Sequence, residues 1–410
     1  MPETRSQIRD RNHLRRLGVI QPHLSNPSRE MFLELSTHCA LDLVLSPAPS
    51  GTGFDVAPLP ESSRIREFSG PTLRPLGKKL GWVQMSVLGY IVSHRPDAIF
   101  LNANPRYITF WLTLLWARVL GIPVYAHGHG FYRRARIGSA YRLMIATILK
   151  FVTVYVCYAP IVRQAFLDAG FSGDKLAVAH NSLINRFPVT PQEKDETAKQ
   201  ELGKNASANG ILFIGRLRRE SRIDRLLRVI DRIRREDGLD LTLHIIGEGE
   251  ESAILKAQAR GSSWAVFHGG LYDAARIREI SLDCFAGCYP GNAGLSVVHM
   301  MSLSLPVITH DDWRQHGPEP SFIRDGVSGW LFDHTDPDSS LYGAIRALAS
   351  DPAKVAGMRR HAFADYQAVA YPSLAERIWA IIAGEADHEA IPQLANAGDS
   401  AAAPASRLAT

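Results

Sequence analysis

From residue 210 the chain alternates short apolar runs with segments of helical spacing, and this rhythm constrains the fold more than any other feature. GILFIGRL (210–217) is an apolar run that ends near a glycine. RIDRLLRVIDRIRREDG (222–238) sets Leu226, Leu227, Ile230 and Ile233 at helical intervals and closes on Gly238, a C-cap residue. The pattern then repeats: strand in 239–249, helix in 251–261, strand and turn in 265–271, helix in 273–284, strand in 285–290, helix in 294–305, strand in 306–310. Strand–helix pairs repeating at roughly 25 residues predict a parallel sheet with helices on both faces.

The first half carries the same signals more faintly. Candidate strands are 17–22, 41–47, 97–103, 123–128, 152–157 and 176–183; candidate helices are 28–38, 82–93, 107–120 and 160–169. The Gly-, Pro- and Ser-rich stretch 50–80 reads as loop, and the polar stretch 190–210 as a linker with some helix. A chain of 410 residues exceeds one ordinary core. The expected fold is therefore α/β, two doubly wound Rossmann-like domains facing a cleft. The first covers 1–190, the linker 191–209 and the second 210–372. Residues 385–410, poor in bulky apolar side chains, read as a disordered tail.

Composition excludes several classes. With 46% hydrophobic and 21% charged residues the chain is globular in type. The four cysteines are scattered without a C-x-x-C pair, which fits reduced buried thiols in a cytoplasmic protein. The charged N-terminus lacks the apolar stretch of a signal peptide. Arg118 and Lys150 interrupt the most apolar stretches, 107–126 and 141–159, so these read as core elements rather than membrane spans. Residues 1–190 carry 22 Lys and Arg against 11 Asp and Glu. That basic half points to an acidic partner, an anionic lipid surface or a phosphorylated acceptor, or to solvated arginine-rich helix faces. No nucleic-acid-binding module is recognisable.

In open parallel sheets ligands bind beyond the carboxyl ends of the strands. Gly215 and Arg216 follow the run ILFI, and a guanidinium fork suits phosphate oxygens. Glu248 follows HIIG, and Gly269 and Gly270 follow AVFH. In YPGNAGLSVVHMM, Gly294, Leu295 and Ser296 stand at a helix entrance, where free amides and the helix dipole suit a diphosphate. A tight turn that needs glycine only for its backbone is the plainer alternative.

Taken together, FIGRLRRESRIDRLLRVI, LHIIGEGEE, VFHGGLYD, CYPGNAGLSVVHMMSLSLPVIT and GPEPSFIRDGVSGWLF resemble the C-terminal domain of glycosyltransferase family 4 and its relatives, enzymes of the GT-B fold. The resemblance covers about 208–335 and is looser in the first half, through RPDAIFLNANPRYITFWLTLLWARVLGIPVYAHGHG and GFSGDKLAVAHNSL. It implies transfer of a sugar from a nucleotide-sugar donor to a glycan or polyprenyl-diphosphate-linked acceptor. Retention of configuration, no metal and no other cofactor are implied with it. It also implies a C-terminal helix over 373–384 that crosses back to the first domain. Gly215, Arg216, Glu248, Gly269, Leu271, Gly294, Leu295 and Ser296 would bind the donor, and Glu319 of GPEP would act at the reacting sugar. The family's lysine is Ser221 here, and the next residue, Arg222, is a candidate for the missing cation.

The family's two glutamates are Gly291 and His299 in this chain. Imidazole still bonds a ribose hydroxyl, although a buried core histidine is the competing reading of His299. His127 and His129 of HGHGF would orient or deprotonate the acceptor hydroxyl. Neither HGHGF nor HDDWRQH (310–316) has the carboxylate cluster of a metal site. The expected setting is bacterial polysaccharide or lipopolysaccharide synthesis, in the cytoplasm or at the anionic inner membrane face. A nucleotide-sugar epimerase and a non-catalytic nucleotide-sugar-binding subunit are the rival readings.

Overall fold

The computed structural model describes residues 14–47, 59, 64–74, 81–134, 136–202 and 209–385. All but the first residue of the expected disordered tail lies outside them. The chain divides into two compact units. One runs to His180 and resumes at Pro372; the other is Asn181–Tyr371.

In the first unit the strands are β1 (Arg16–Ile20), β2 (Ala40–Leu45), β3 (Ile65–Ser69), β4 (Thr72–Leu73), β5 (Val83–Gln84), β6 (Ala98–Asn102), β7 (Val124–Gly128), β8 (Val154–Cys157) and β9 (Leu176–Val178). Seven of them form one sheet in the order β3-β2-β1-β6-β7-β8-β9, every pairing parallel. The helices are α1 (Asn26–Leu35), α2 (Met85–Ser93), α3 (Ile108–Leu120), α4 (Ser139–Phe151) and α5 (Pro160–Asp168). Alternate strand residues point to opposite faces. Ile20, Ile99, Leu101, Val124 and Ala126 therefore pack with α2 to α5, while Leu17, Val19, Leu43, Phe100 and Tyr125 pack with α1 and one further helix. That helix, Leu374–Ala383, comes from the far end of the chain. Its Ser373 cap donates to Glu34 Oε1 at 2.6 Å, and Tyr125 Oη donates to the carbonyl of Ile382 at 3.2 Å.

The expected loop at 50–80 contains edge strand β3. Its sequence, IREFS, is too polar to read as a strand. The edge is fixed instead by buried Asp42 on β2, which takes Arg66 bidentately at 2.8 Å, Arg16 at 2.8 Å and Tyr90 Oη at 3.1 Å. Burial works to raise the Asp42 pKa, but the bonds from Arg66 and Arg16 outweigh it and hold the carboxyl below its ordinary range.

The second unit opens with α6 (Pro191–Leu202) and continues β10 (Gly210–Ile214), α7 (Ile223–Glu236), β11 (Thr242–Ile246), α8 (Ser252–Gln258), β12 (Ala265–Gly269), α9 (Ala274–Leu282), β13 (Cys284–Cys288), α10 (Ser296–Ser302), β14 (Val307–His310), β15 (Gly329–Phe332), α11 (Pro337–Ala349) and α12 (Pro352–Ala370); the helix Leu374–Ala383 that returns to the first unit is α13. The sheet order is β12-β11-β10-β13-β14-β15, again wholly parallel. The order reverses at β10, the switch point where such sheets bind ligands.

The boundary expected after residue 190 lies inside this unit, because Val189 N already donates to Ser302 O (3.1 Å) and Asn185 N to Tyr366 Oη (2.9 Å). The described part of the expected linker is largely α6. Its Lys194 is buried, and the ammonium donates to the carbonyls of Ser281 and Cys284. Desolvation pushes this lysine down to about 7.

Candidate active site

In the second unit the loops after β10, β11 and β12 are laced together by backbone bonds. Gly215 N donates to Ile246 O (3.0 Å), Leu217 N to Glu248 O (3.0 Å), and Gly247 N to Gly269 O (2.7 Å). The lacing leaves no room for side chains: a Cβ on Gly247 would lie 1.8 Å from Gly215 O, and one on Gly249 would lie 2.4 Å from Leu217 O. Gly269 has φ 70° and its carbonyl also accepts from Leu271 N at 3.0 Å. The Glu248 side chain lies over this turn, 3.3 Å from where a Gly269 Cβ would be. Gly215, Arg216, Glu248, Gly269 and Leu271 are thus gathered at the carboxyl edge of one sheet.

Arg216 stands half-buried at the mouth of these loops. Burial, then the charge of Arg218, lower its pKa, though a guanidinium keeps its charge at neutral pH. Ser221 does not line the surface beside it. It is buried, its hydroxyl donates to Arg216 O at 2.6 Å, and it shares a bond with Tyr289 Oη at 3.2 Å. Ser221 therefore braces the Arg216 loop from below. Arg222 caps α7 in the left-handed region (φ 54°), with its guanidinium turned to Asp224 at 3.2 Å.

Gly291 is buried against that same turn. A Cβ there would lie 1.9 Å from Glu220 O, and Asn292 N donates to the same carbonyl at 2.9 Å. A glutamate at 291 has no place in this packing.

Next in the chain, Ala293 is pinned twice. Its amide donates to His316 Nδ1 at 3.1 Å, and its carbonyl accepts from Gly317 N at 2.7 Å. His316 Nε2 in turn donates to His310 O at 2.7 Å. Both ring nitrogens are thereby committed to the backbone, which removes this histidine of HDDWRQH from any metal set. Elsewhere in that segment Asp311 meets Asp333 and His334 with ligand atoms within 4.8 Å of one another. His334 Nδ1 and amide already bond Asp311 there.

Past the pinned loop, α10 begins without a side-chain cap. Its first amides at Gly294, Leu295 and Ser296 have no protein acceptor among the described residues. The buried carboxylate of Glu319 lies beside them, with Oε2 3.6 Å from the place of a Gly294 Cβ and Oε1 accepting from Asn181 Nδ2. His299, one turn into α10, is half-buried, and burial pushes its pKa down to about 4, so its imidazole is neutral at neutral pH.

In the first unit His127 ends β7. It is buried against Tyr158 (4.2 Å between ring centres), and its Nε2 has no hydrogen-bond partner among the described residues. Burial pushes it down to about 3, only partly offset by a bond to the Ala179 backbone. His129 is exposed, with Nδ1 3.3 Å from Gly130 O.

Sequence reading missed four residues of this construction: Tyr289, His316, Gly317 and Asn181. Their partners lie far off in sequence, Ser221 for Tyr289, Ala293 for His316 and Gly317, and Glu319 for Asn181, so no local motif announces them.

Residues 194–367 match the family model of glycosyl transferases group 1. No curated protein matches the chain. Among solved structures, Anabaena Alr3699/HepE in complex with UDP and glucose is 14% identical, with a TM-score of 0.61 over 90% of this chain and 98% of that one. The lipopolysaccharide outer core galactosyltransferase WaaB in its apo form is 12% identical, with a TM-score of 0.58 over 90% of this chain and 100% of that one. A sucrose-phosphate synthase from Thermosynechococcus elongatus is 14% identical, with a TM-score of 0.62 over 90% and 98%. The fold is that of GT-B glycosyltransferases, two Rossmann-like domains.

Proposed function

We propose that the chain is a glycosyltransferase that takes a sugar from a nucleotide-sugar and passes it, with retention, to a glycan or polyprenyl-diphosphate-linked acceptor. Bacterial polysaccharide or lipopolysaccharide synthesis is the setting. The observation that carries this reading is the row of unpaired amides at Gly294, Leu295 and Ser296, on the same sheet edge as Arg216, within a domain of the group 1 type. When the donor bond breaks, negative charge gathers on the leaving diphosphate; fixed amides and a guanidinium stabilise that charge without reorganising. The Glu319 carboxylate beside them would repel phosphate, so it addresses hydroxyls of the ribose or sugar. His299, neutral, serves as a hydrogen-bond partner on the same helix.

His127 is too weak a base, at about 3, to take a proton at neutral pH. It orients the acceptor hydroxyl through Nε2, and exposed His129 is the candidate for proton handling. No metal or other cofactor enters this scheme. The same reading places the protein in the cytoplasm, at the anionic inner face of the membrane.

UDP bound to HepE and the galactosyl transfer named for WaaB support the nucleotide-sugar class. The test is incubation of the pure protein with a panel of nucleotide-sugars. Slow release of free nucleoside diphosphate is expected. A changed sugar still linked to its nucleotide would mean epimerase instead, and binding without turnover would mean a non-catalytic subunit.

A further inference from the structure

Helix α3 is apolar on both of its sides. Thr109, Phe110, Thr113, Leu114 and Ala117 are buried toward the sheet. On the other side Ile108, Leu112, Leu115, Trp116 and Val119 lie open to solvent, Leu115 at 55% and Val119 at 70%. The two helices packed beside it also expose apolar side chains, α2 Val92 at 72% and α4 Leu143 at 70%. A surface helix ordinarily carries polar residues here. A contiguous apolar patch of this kind marks an interaction surface.

Its charge says what kind. Residues 98–167 hold eight Lys and Arg and no Asp or Glu. Arg118 stands on the exposed side of α3 between Leu115 and Val119, and exposed Arg106 precedes the helix. Arg142 and Lys150 flank Leu143 on the exposed side of α4. An apolar ridge set among unopposed cations is complementary to a plane of anionic headgroups over acyl chains. A second copy of the same face is a poor occupant, since like cations would meet. With 13 residues α3 is too short to span a bilayer, which needs about 20, so it would lie in the interface.

We propose that the outer side of α3, flanked by α2 and α4, seats the first unit on an anionic lipid bilayer. This rests on the membrane association proposed above, names the surface responsible, and is independent of sugar transfer.

The test is co-sedimentation of the full chain with vesicles of phosphatidylcholine alone or with roughly one-third phosphatidylglycerol. Wild type should partition to the anionic vesicles about tenfold or more better than to neutral ones, less so as salt rises. Leu115→Asp with Val119→Asp should lose about tenfold or more, and Arg142→Glu with Lys150→Glu should lose the anionic preference. Circular dichroism and the thermal shift given by UDP check that the variants fold. Wild type that ignores both vesicle types, or an Asp variant that binds as well as wild type, overturns the proposal. A concentration-dependent dimer dissolved by the Asp substitutions also overturns it, since the face would then be a self-contact. Vesicle binding that persists while no nucleotide-sugar is bound supports the docking face and counts against the transferase reading alone.

Discussion

Gly291 and Glu220 are held so close that a β-carbon on the first would lie 1.9 Å from the carbonyl oxygen of the second. The loop that precedes α10 and the turn that precedes α7 are one packed unit, closed by the bond from Asn292 N to the same carbonyl. Gly291→Ala should therefore cost about 1–3 kcal/mol of stability, as overpacking does. Gly291→Glu should cost more, and should weaken rather than improve nucleotide binding. Thermal unfolding and calorimetric titration with UDP and GDP measure both effects. A stable Glu variant with tighter binding would refute the steric account.

Arg216→Ala should leave the unfolding midpoint near wild type and weaken nucleoside diphosphate binding by on the order of 2 kcal/mol, roughly thirtyfold in Kd. Titration with UDP and GDP measures it. Unchanged affinity would take Arg216 out of the site.

His316→Phe keeps a ring of similar shape against His310, whose ring centre lies 3.9 Å away, and deletes the acceptor of the buried Ala293 amide. An orphaned buried donor costs about 1–3 kcal/mol. The variant should lose that much stability in urea, with a parallel loss of nucleotide affinity as the loop before α10 loosens. Loss of stability with affinity intact would mean the pin does not serve the site.

Three histidines whose pKa burial lowers give a pH signature. His299 and His310 are pushed from 6.5 to about 4 by burial, and His127 to about 3. Below 6.5 the unfolded chain takes up protons that the folded chain refuses, so the unfolded state gains as pH falls. The histidine contribution to stability should be full above 6.5 and decline from there toward 4. Aspartates and glutamates remain ionised through the upper part of that window, so the decline there belongs to histidine. Urea midpoints across the window measure it, and His299→Gln should flatten the curve. A wild-type profile flat between 6.5 and 5 would contradict the burial.

Ile378 on α13 is fully buried against the face of the first sheet that α1 only partly covers. Ile378→Ala should cost about 2–5 kcal/mol in urea unfolding. A loss below 1 kcal/mol would mean that α13 contributes little to that face.

The second half of the chain was legible because its strands are buried on both faces and its helices are strongly two-sided, as in α7 with Ile223, Leu226, Leu227, Ile230 and Ile233 buried. Strand β3 was illegible because its hold is an ion pair with Asp42 rather than an apolar pattern. Helix α6 read as linker because its sequence is polar and a lysine, Lys194, is among its buried anchors. Within the site, the residues whose backbone meets neighbouring loops could be picked from local runs such as GRL and GNAGLS. The burial of Ser221 and the pinning by His316 depend on partners distant in sequence, and no spacing rule reports those.

The membership of α13 in the first unit sets an order of assembly. Residues 374–383 leave the ribosome last among the described elements, yet they close one face of the sheet whose strands were made first. During synthesis the first unit must wait, with that face open, while Asn181–Tyr371 is made and acquires its own complete core. The domain begun first is the domain finished last.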